Sequence, residues 1–174
     1  ENITDTPVFE VFRERIKTEQ AQITYVRRGQ VFDFGHGSAG STTLTILFPD
    51  RDPTNLETNV ASIIARLSYG DTSYLLTGDS PDEIEEYLVS LSSTTLRSTV
   101  LKAGHHGSKT SSAEAFVAAV DPIYAIISAG KDNSYGHPHK EVTDRFKAHN
   151  VIQKNTADEG SIFSVSDGNQ MWFE

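Results

Sequence analysis

The sequence predicts an α/β fold in which a mixed β-sheet has helices packed on one side. Beyond residue 98, short apolar runs of strand length alternate with segments of helical spacing, starting with TVLKAG at 99–104. Before it, the runs 60–70 and 72–78 follow each other across a turn at Gly70-Asp71, which is typical of a hairpin. Strand–helix alternation behind a hairpin favours one mixed sheet.

The first half of the chain opens with a predicted helix. Apolar residues recur at roughly helical spacing over 6–18. The segment ITYVRRGQVFDFG at 23–35 predicts two short strands about a turn at Arg28-Gly29. TLTILFP at 43–49 predicts another strand, and the polar segment 51–59 predicts a loop.

Two helices of the second half have start signals in the sequence. Ser80 is predicted as an N-cap, with Pro81 at the first helical position and Glu83 completing a capping box. Ser111 with Glu114 predicts a second cap, for a helix that runs to about residue 120.

The remaining elements alternate in the same way. IYAIISAG at 123–130 predicts a strand, and Pro138 opens a helix that carries Val142 and Phe146. SIFSVS and QMWF predict a final hairpin that turns at Asp167-Gly168. The whole of 1–174 is therefore expected to form a single domain.

Composition excludes several classes of function. The net charge of -9 disfavours a surface that coats nucleic acid generally, although a metal and a few lysines could still hold a polyanion locally. The absence of cysteine excludes disulfide scaffolds, cysteine-ligated zinc and thiol nucleophiles. A serine hydrolase using Ser108 or Ser128 is disfavoured, because the chain has no G-x-S-x-G motif.

The cellular setting is only loosely constrained. No apolar run approaches the roughly 20 residues of a membrane span. The first residues, ENITDTPVFEVF, contain no initiator Met and no signal-peptide pattern, so we expect a piece of something longer. An extracytoplasmic domain of a membrane protein, or a secreted protein, fits these features, and the sequence leaves a cytoplasmic location open.

Three predicted strands end in loops with potential metal ligands. YLLTGD delivers Asp79, LKAGHHGS delivers His105 and His106, and the loop before Pro138 delivers His137. Ligands gather beyond the carboxyl ends of strands in open α/β sheets, so these loops are expected to meet at one edge. A carboxylate and neutral imidazoles suit Zn²⁺ or Mn²⁺.

Each of these residues also has a structural alternative. Asp79 could simply favour the start of the following helix, and His105 and His106 could be histidines with satisfied nitrogens. His137 could be a turn residue, and His139 is expected to be exposed in the first helical turn. Three further residues near the loop would suit a phosphate-bearing substrate or could be solvated: Lys102, Ser108 and Lys109.

The order and spacing of three strings are more specific. YLLTGD, LKAGHHGSKTSS and SYGHPH together resemble the metallo-β-lactamase-fold hydrolases of the ComEC competence family. The resemblance runs from about Asn59 to His139, and weaker strand patterning extends it over most of the chain.

The resemblance implies a role for each matching residue. Asp79 resembles the carboxylate that bridges two metals, and His105 resembles the last histidine ligand of the second metal. His106 takes that place if the register differs by one residue. His137 resembles a histidine of the active-site rim that donates a proton or holds a phosphate oxygen. Asn59 falls near the position of another histidine ligand, for which Asn is a poor substitute.

One departure from the family pattern is large. The HxHxDH motif, which supplies most metal ligands in this fold, does not occur, and FDFGHG at 32–37 is a faint echo of the family's early acidic and glycine-rich strand. We therefore expect this chain to be the C-terminal half of the domain. The N-terminal half would then have been removed, lie outside this sequence or be supplied by another chain. Asp79 and His105 alone provide too few ligands for a catalytic centre with two metals.

The resemblance leads to a primary expectation and two alternatives. The primary one is part of a metal-dependent phosphodiesterase or nuclease that acts on nucleic acid or another phosphoester, within a parent protein of the membrane-bound competence type. One alternative is a catalytically inactive half-domain with a structural or partner-binding role. The other is a stand-alone secreted phosphoester hydrolase of the same fold.

Overall fold

A seven-stranded mixed sheet organises residues 6–174, the part of the chain that the computed structural model describes. The strands lie side by side in the order of the sequence. They are β1 (Val31–Gly37), β2 (Gly40–Phe48), β3 (Ile64–Tyr69), β4 (Thr72–Leu76), β5 (Val100–Lys102), β6 (Tyr124–Ile127) and β7 (Ile152–Asn155).

The sheet changes from antiparallel to parallel at β4. Strands β1 to β4 pair antiparallel, whereas β4 to β7 pair parallel. Tyr74, Val100, Tyr124 and Ile152 are register partners across the four parallel strands. The carboxyl ends of these strands therefore face the same edge of the sheet.

Three helices cover one face of the sheet. The described part of the chain forms the helices α1 (Pro7–Thr18), α2 (Asp82–Ser92), α3 (Glu114–Val120), α4 (Lys140–Ala148) and the short α5 (Thr156–Glu159). The three that cover this face are α2, α3 and α4. Residues of α2, α3 and α4 share one buried cluster with alternate strand residues such as Leu75, Leu101 and Ala125. Alternate residues point to one face of a sheet, so the predicted packing of helices on one side is confirmed. Helix α1 has no buried residue.

A hairpin of β8 (Ser164–Ser166) and β9 (Met171–Phe173) covers part of the opposite face. The hydroxyl groups of Tyr74 and Ser164 lie 2.7 Å apart, and the rings of Tyr124 and Phe173 have centroids 4.6 Å apart. The hairpin predicted at the end of the chain is therefore present.

The rest of the opposite face is apolar, and among residues 6–174 it stays partly exposed. Phe34 is 65% exposed, Ile63 is 52% exposed and Leu76 is 41% exposed. The groove that they border is lined by Val26, Phe32, Phe34, Leu44, Ile46, Ile63, Ala65 and Leu76. An apolar sheet face of this kind is usually an interaction surface.

Two strands differ from the prediction: one predicted strand is absent, and one short edge strand is present that was not predicted. Residues 21–27 form no strand, and the N–H groups of the following Arg28 and Gly29 donate to the carbonyls of Pro49, just after β2, and of Ile46, within β2. Conversely, β7 was not predicted, because its sequence IQKN has a single apolar residue and its pairing with β6 decides its conformation.

Both predicted N-caps were wrong. Helix α2 begins at Asp82 with Pro81 as its N-cap and no side-chain cap, one residue later than expected. The Ser111 hydroxyl donates to the Gly104 carbonyl at 2.7 Å instead of capping α3. Among residues 6–174, no helix is long and apolar enough to cross a membrane.

Candidate active site at the carboxyl edge of the parallel strands

The loops after β4, β5 and β6 meet at one edge of the sheet, as the sequence predicted. Asp79 follows β4, His105 and His106 follow β5, and His137 ends the long loop after β6. The backbone N–H of His105 donates to the carbonyl of Gly78 at 3.1 Å, which joins the first two loops. The parallel register therefore brings together residues that are distant in sequence.

The two adjacent histidines form a strained turn. Gly104–Gly107 makes one turn of 3₁₀ helix, inside which His105 has φ 45° and His106 has φ 59°. Left-handed backbone is unfavourable for residues with a Cβ, and such strain tends to occur at functional sites. The ring centroids of the two imidazoles are 6.3 Å apart.

His106 links two loops through its two ring nitrogens. Nδ1 lies 2.7 Å from the carbonyl oxygen of Ser128, and Nε2 lies 3.5 Å from Oδ1 of Asp79. A carbonyl can only accept, so Nδ1 carries the proton and the Nε2 of a neutral ring has a free lone pair. Two acceptors then face each other, and a cation or a proton between them would relieve their repulsion.

His137 completes a cluster of imidazoles. Its ring centroid lies 5.7 Å from that of His105, 6.3 Å from His106 and 5.0 Å from His139. Burial lowers the pKa of His137, neighbouring histidines lower it further, and Asp79 opposes them. A neutral imidazole is the form that binds a metal or accepts a proton.

His139 organises the loops instead of extending from them. It occupies the N-cap position of α4, where its backbone N–H donates to Gly107 at 2.9 Å. Its Nδ1 accepts the backbone N–H of Lys109 at 3.2 Å. His139 is half-buried, so the expectation of an exposed first-turn residue was only partly right.

The predicted substrate contacts lie in different environments. Lys109 is exposed. Ser108 is buried, and its hydroxyl lies 3.0 Å from that of Thr110, so it does not face solvent. The Lys102 ammonium donates to the Ala103 carbonyl at 2.8 Å, and burial lowers its pKa while Asp79 opposes that shift. Lys109 is thus the most available of the three.

Two supporting residues escaped the sequence analysis. Asn133 fastens the long loop on itself: its Nδ2 donates to Gly130 and His137 carbonyls at 2.7 and 2.6 Å, and its Oδ1 accepts the His137 N–H at 2.9 Å. The available signal was an Asn in a loop rich in glycine and polar residues.

Glu85 of α2 is the second missed residue. Its carboxylate accepts the N–H groups of Ser112 and Ala113, both at 2.8 Å, and so caps α3 from a neighbouring helix. Burial raises the pKa of Glu85 to about 7, and the two backbone hydrogen bonds oppose that shift. No local sequence pattern predicts that a helix is capped by a side chain of another helix.

The other histidines are engaged elsewhere. His149 pairs with Glu114 at 2.6 Å, and His36 lies 3.1 Å from the Ser41 hydroxyl. Their interpretation as residues without a site role stays unchanged. Asn59, where the family carries a histidine, is half-buried, and its backbone N–H bonds to Glu57 at 3.0 Å.

The chemistry of this edge suits a borderline divalent cation, but the number of ligands does not suffice. Asp79 and His106 present an oxygen and a nitrogen to the same space, as Zn²⁺ or Mn²⁺ requires. Within residues 6–174, no group of three or more His, Cys, Asp or Glu side chains could hold a metal ion. A metal here would need further ligands, and the roles assigned from sequence stay predictions.

Comparison of the sequence with known proteins finds relatives among bacterial competence proteins. It is 34% identical over 158 residues to ComE operon protein 3 of Bacillus subtilis (strain 168), across 91% of this chain and 19% of that protein. It is 40% identical over 108 residues to Competence protein ComA of Neisseria gonorrhoeae, across 62% of this chain and 16% of that protein.

A third protein is also similar in sequence to this chain. Recombination protein 2 of Haemophilus influenzae is 36% identical over 104 residues, across 60% of this chain and 13% of that protein. No family model matches. The chain is homologous to the ComE operon protein 3 and ComA competence proteins over most of its length, and it aligns with less than a fifth of each of these longer relatives.

Proposed function

We propose that the chain is the C-terminal part of a metal-dependent phosphodiesterase or nuclease domain, with a metallo-β-lactamase-like fold, in a protein of DNA uptake. The observation that carries the proposal is the meeting of Asp79 with His106 at 3.5 Å, beside His105 and His137. The homology to competence proteins gives the biological setting, and the site gives the chemistry.

The residues of this edge divide the work of hydrolysis. Asp79 and His106, with His105 as a further nitrogen donor, would hold the cation, of which the complete domain would bind two. A divalent cation, when bound, supplies Lewis-acid stabilisation of the charge on phosphoryl oxygens. His137, kept neutral by its lowered pKa, is suited to take up a proton at a ring nitrogen or to hold a phosphate oxygen.

The ligands that this chain lacks would come from a second structural layer. The apolar face around Phe34 and Leu76 is open, and a second sheet packed there would bury it. That arrangement corresponds to half of a metallo-β-lactamase sandwich. The HxHxDH ligands would then be contributed by that layer, in the same polypeptide or in another one.

Location and substrate follow from the same proposal. The substrate would be nucleic acid or another phosphoester, and the domain would be extracytoplasmic in a membrane protein or secreted. A chain of net charge -9 must hold a polyanion through local cations, which the metals and Lys109 would provide.

The test is hydrolysis of a phosphodiester by the longest polypeptide in which this segment occurs. With Zn²⁺ or Mn²⁺ added, cleavage of a fluorescent single-stranded oligonucleotide is expected, and Asp79→Ala should lower kcat by at least about 100-fold, because the cation would lose a carboxylate ligand. Asp71→Ala is the matched control, because Asp71 lies at the opposite end of β4 and is exposed. Equal rates for the Asp79→Ala variant and its parent would overturn the proposal.

A second candidate function is a catalytically inactive module that binds a partner through the open apolar face. The exposure of Phe34, Ile63 and Leu76 favours it. Under this candidate, the longest polypeptide shows no metal-dependent hydrolysis at all, whereas Leu76→Lys on this face abolishes its assembly. Metal-dependent hydrolysis that Asp79→Ala removes would decide against it.

A further inference from the structure

An open cavity borders the histidine cluster, and its wall carries an exposed aromatic ring. The cavity has a volume of about 470 Å³, within the range of roughly 300–1,000 Å³ that is usual for small-ligand sites. Tyr135 forms part of the wall and is 77% exposed. The lining consists of His106, Ser128, Ala129, Gly130, Asn133, Tyr135, His137 and Thr156.

Tyr135 is presented by a fastened loop. Asn133 bonds to both Gly130 and His137, so the residues between them form a closed loop that carries Tyr135. The rings of Tyr135 and His137 are nearly parallel, at 22° with centroids 5.7 Å apart. One face of the tyrosine is thus backed by His137, and most of its surface stays open to solvent.

Two polar side chains of this cavity are already paired within the protein. The Asn133 amide is occupied by Gly130 and His137, and the Thr156 hydroxyl bonds to both the N–H and the carbonyl of Ala129, each at 3.0 Å. The exposed face of the Tyr135 ring, in contrast, is available to a ligand. Flat aromatic ligands fit this situation, and stacking on their faces tolerates different ring substituents.

The distribution of charge narrows the ligand class. Lys131, in the same fastened loop, and Lys109, whose backbone N–H bonds to His139, are both exposed cations. They would attract phosphates, whereas the overall charge of -9 opposes a polyanion that lacks specific contacts. A flat ring attached to a phosphate chain describes a nucleotide.

We propose that the Tyr135 cavity is a nucleobase subsite, which stacks one base of a single-stranded nucleic acid beside the Asp79 and His106 edge. The inference rests on the proposed function, and it adds that the substrate is held as a single strand. A base inside a duplex has no free face to offer a tyrosine, whereas every base of a single strand has one. The stacking site would show little preference among bases.

The test is a binding titration of the 174-residue chain without divalent cations, so that no hydrolysis takes place. The probe is a single-stranded oligonucleotide with a fluorescent label at its 5′ end, followed by anisotropy, and the same labelled oligonucleotide with abasic sites throughout is the comparison. Tyr135→Ala should weaken binding of the base-bearing probe by about tenfold, and Tyr135→Phe should stay within about twofold of the parent. Phe12→Ala is the matched control, since Phe12 is 57% exposed on α1, which has no buried residue.

Each outcome decides the question. Equal binding of base-bearing and abasic probes, equal affinity of the parent for a duplex of the same sequence, or no effect of Tyr135→Ala would overturn the subsite. Because Tyr135 is exposed, circular dichroism of the Tyr135→Ala variant should match that of the parent, and Tyr135→Phe provides the reading if it does not. If the Asp79→Ala chain keeps base-dependent binding, the subsite is independent of the proposed hydrolysis. The hydrolysis proposal can then fail while the subsite proposal stands.

Discussion

The two halves of the sheet differ in how their faces are covered. In the parallel half, helices α2, α3 and α4 bury one face, and the β8–β9 hairpin covers part of the other. In the antiparallel half, β1 contributes no buried residue, and β2 is buried only from Ile46 to Phe48. Only the parallel half, among residues 6–174, carries the loops with Asp79 and the histidines.

This difference separates two tasks. The parallel half is packed against α2, α3 and α4 and can position side chains to within the tolerance that chemistry requires, because packed elements hold its loops. The antiparallel half presents an apolar face whose burial would need another layer. Stability and site geometry should therefore respond to changes in the parallel half, and assembly should respond to changes in the antiparallel half.

The largest expected contrast is in stability. Phe116 of α3 is fully buried in the core shared with the parallel strands. Phe116→Ala should lower the free energy of unfolding by about 3–5 kcal/mol, through lost burial and a cavity. Phe34→Ala, on exposed β1, should change it by less than about 0.5 kcal/mol. Urea denaturation of both variants measures the contrast, and similar losses would show that Phe34 of β1 contributes as much to stability as Phe116 of α3.

The ionisation of Glu85 should change the free energy of unfolding by about 3 kcal/mol between acidic and neutral pH. Burial holds its folded-state pKa at about 7, against 4.5 as the ordinary value. Between these values the folded chain keeps a proton that the unfolded chain releases, so this contribution to stability is present below 4.5 and lost as the pH rises through about 7.

Glu85→Gln isolates that contribution. Relative to the parent, the free energy of unfolding of this variant should rise by up to about 3 kcal/mol between about pH 5 and about pH 8, because the amide has no charge to bury. Glu86→Gln, at an exposed neighbouring position, is the control and should show no such trend. A parallel pH dependence of the parent and the Glu85→Gln variant would mean that Glu85 is ionised at no cost.

A smaller effect is expected at Gly107, which closes the turn of His105 and His106. Its φ is +81°, and a Cβ there would lie 2.8 Å from the Cβ of Pro138. At Gly136, φ is +74° and nothing lies within 4 Å, so only backbone strain applies.

Gly136→Ala should therefore cost about 1–2 kcal/mol, and Gly107→Ala should cost about 1–3 kcal/mol more because Pro138 must move. Thermal denaturation of both variants gives the difference. Nuclear magnetic resonance of the histidine rings should change for Gly107→Ala and not for Gly136→Ala. Equal losses at the two glycines would remove Pro138 as the cause.

The sequence indicated the parts of this fold that depend on local pattern. The apolar runs of the parallel strands and the residues after them predicted that Asp79, His105 and His137 would meet, since parallel strands end at one edge. The resemblance favoured His105 as the ligand beside Asp79, with His106 as the alternative, whereas it is His106 that lies 3.5 Å from Asp79, after a left-handed turn that no local pattern predicts.

Residues whose partners are distant in sequence could not be predicted either, because their contacts form only in the folded chain. Glu85 caps α3 from α2, and its partners Ser112 and Ala113 are 27 and 28 residues away. The expected caps, Ser80 and Ser111, followed the local rule, but the Ser80 hydroxyl donates to the adjacent Pro81 carbonyl and the Ser111 hydroxyl donates to the Gly104 carbonyl. Capping motifs predict reliably only where no neighbouring element competes for the same N–H groups.

The smallest expected effect concerns Lys109, which is exposed beside the His139 cap. If it contacts a phosphate of a single strand, Lys109→Ala should reduce the slope of log affinity against log salt by about 0.7, the contribution of one phosphate contact. Lys147→Ala is the control, because Lys147 lies in the last turn of α4, at the opposite end from His139. Anisotropy titrations of a single-stranded oligonucleotide at several salt concentrations measure both slopes. The effect should be the same for base-bearing and abasic strands, since a phosphate contact does not involve the base, and this independence distinguishes Lys109 from Tyr135. An unchanged slope for Lys109→Ala would place its ammonium in solvent and leave the approach of the strand to the parallel half without an electrostatic contact at this position.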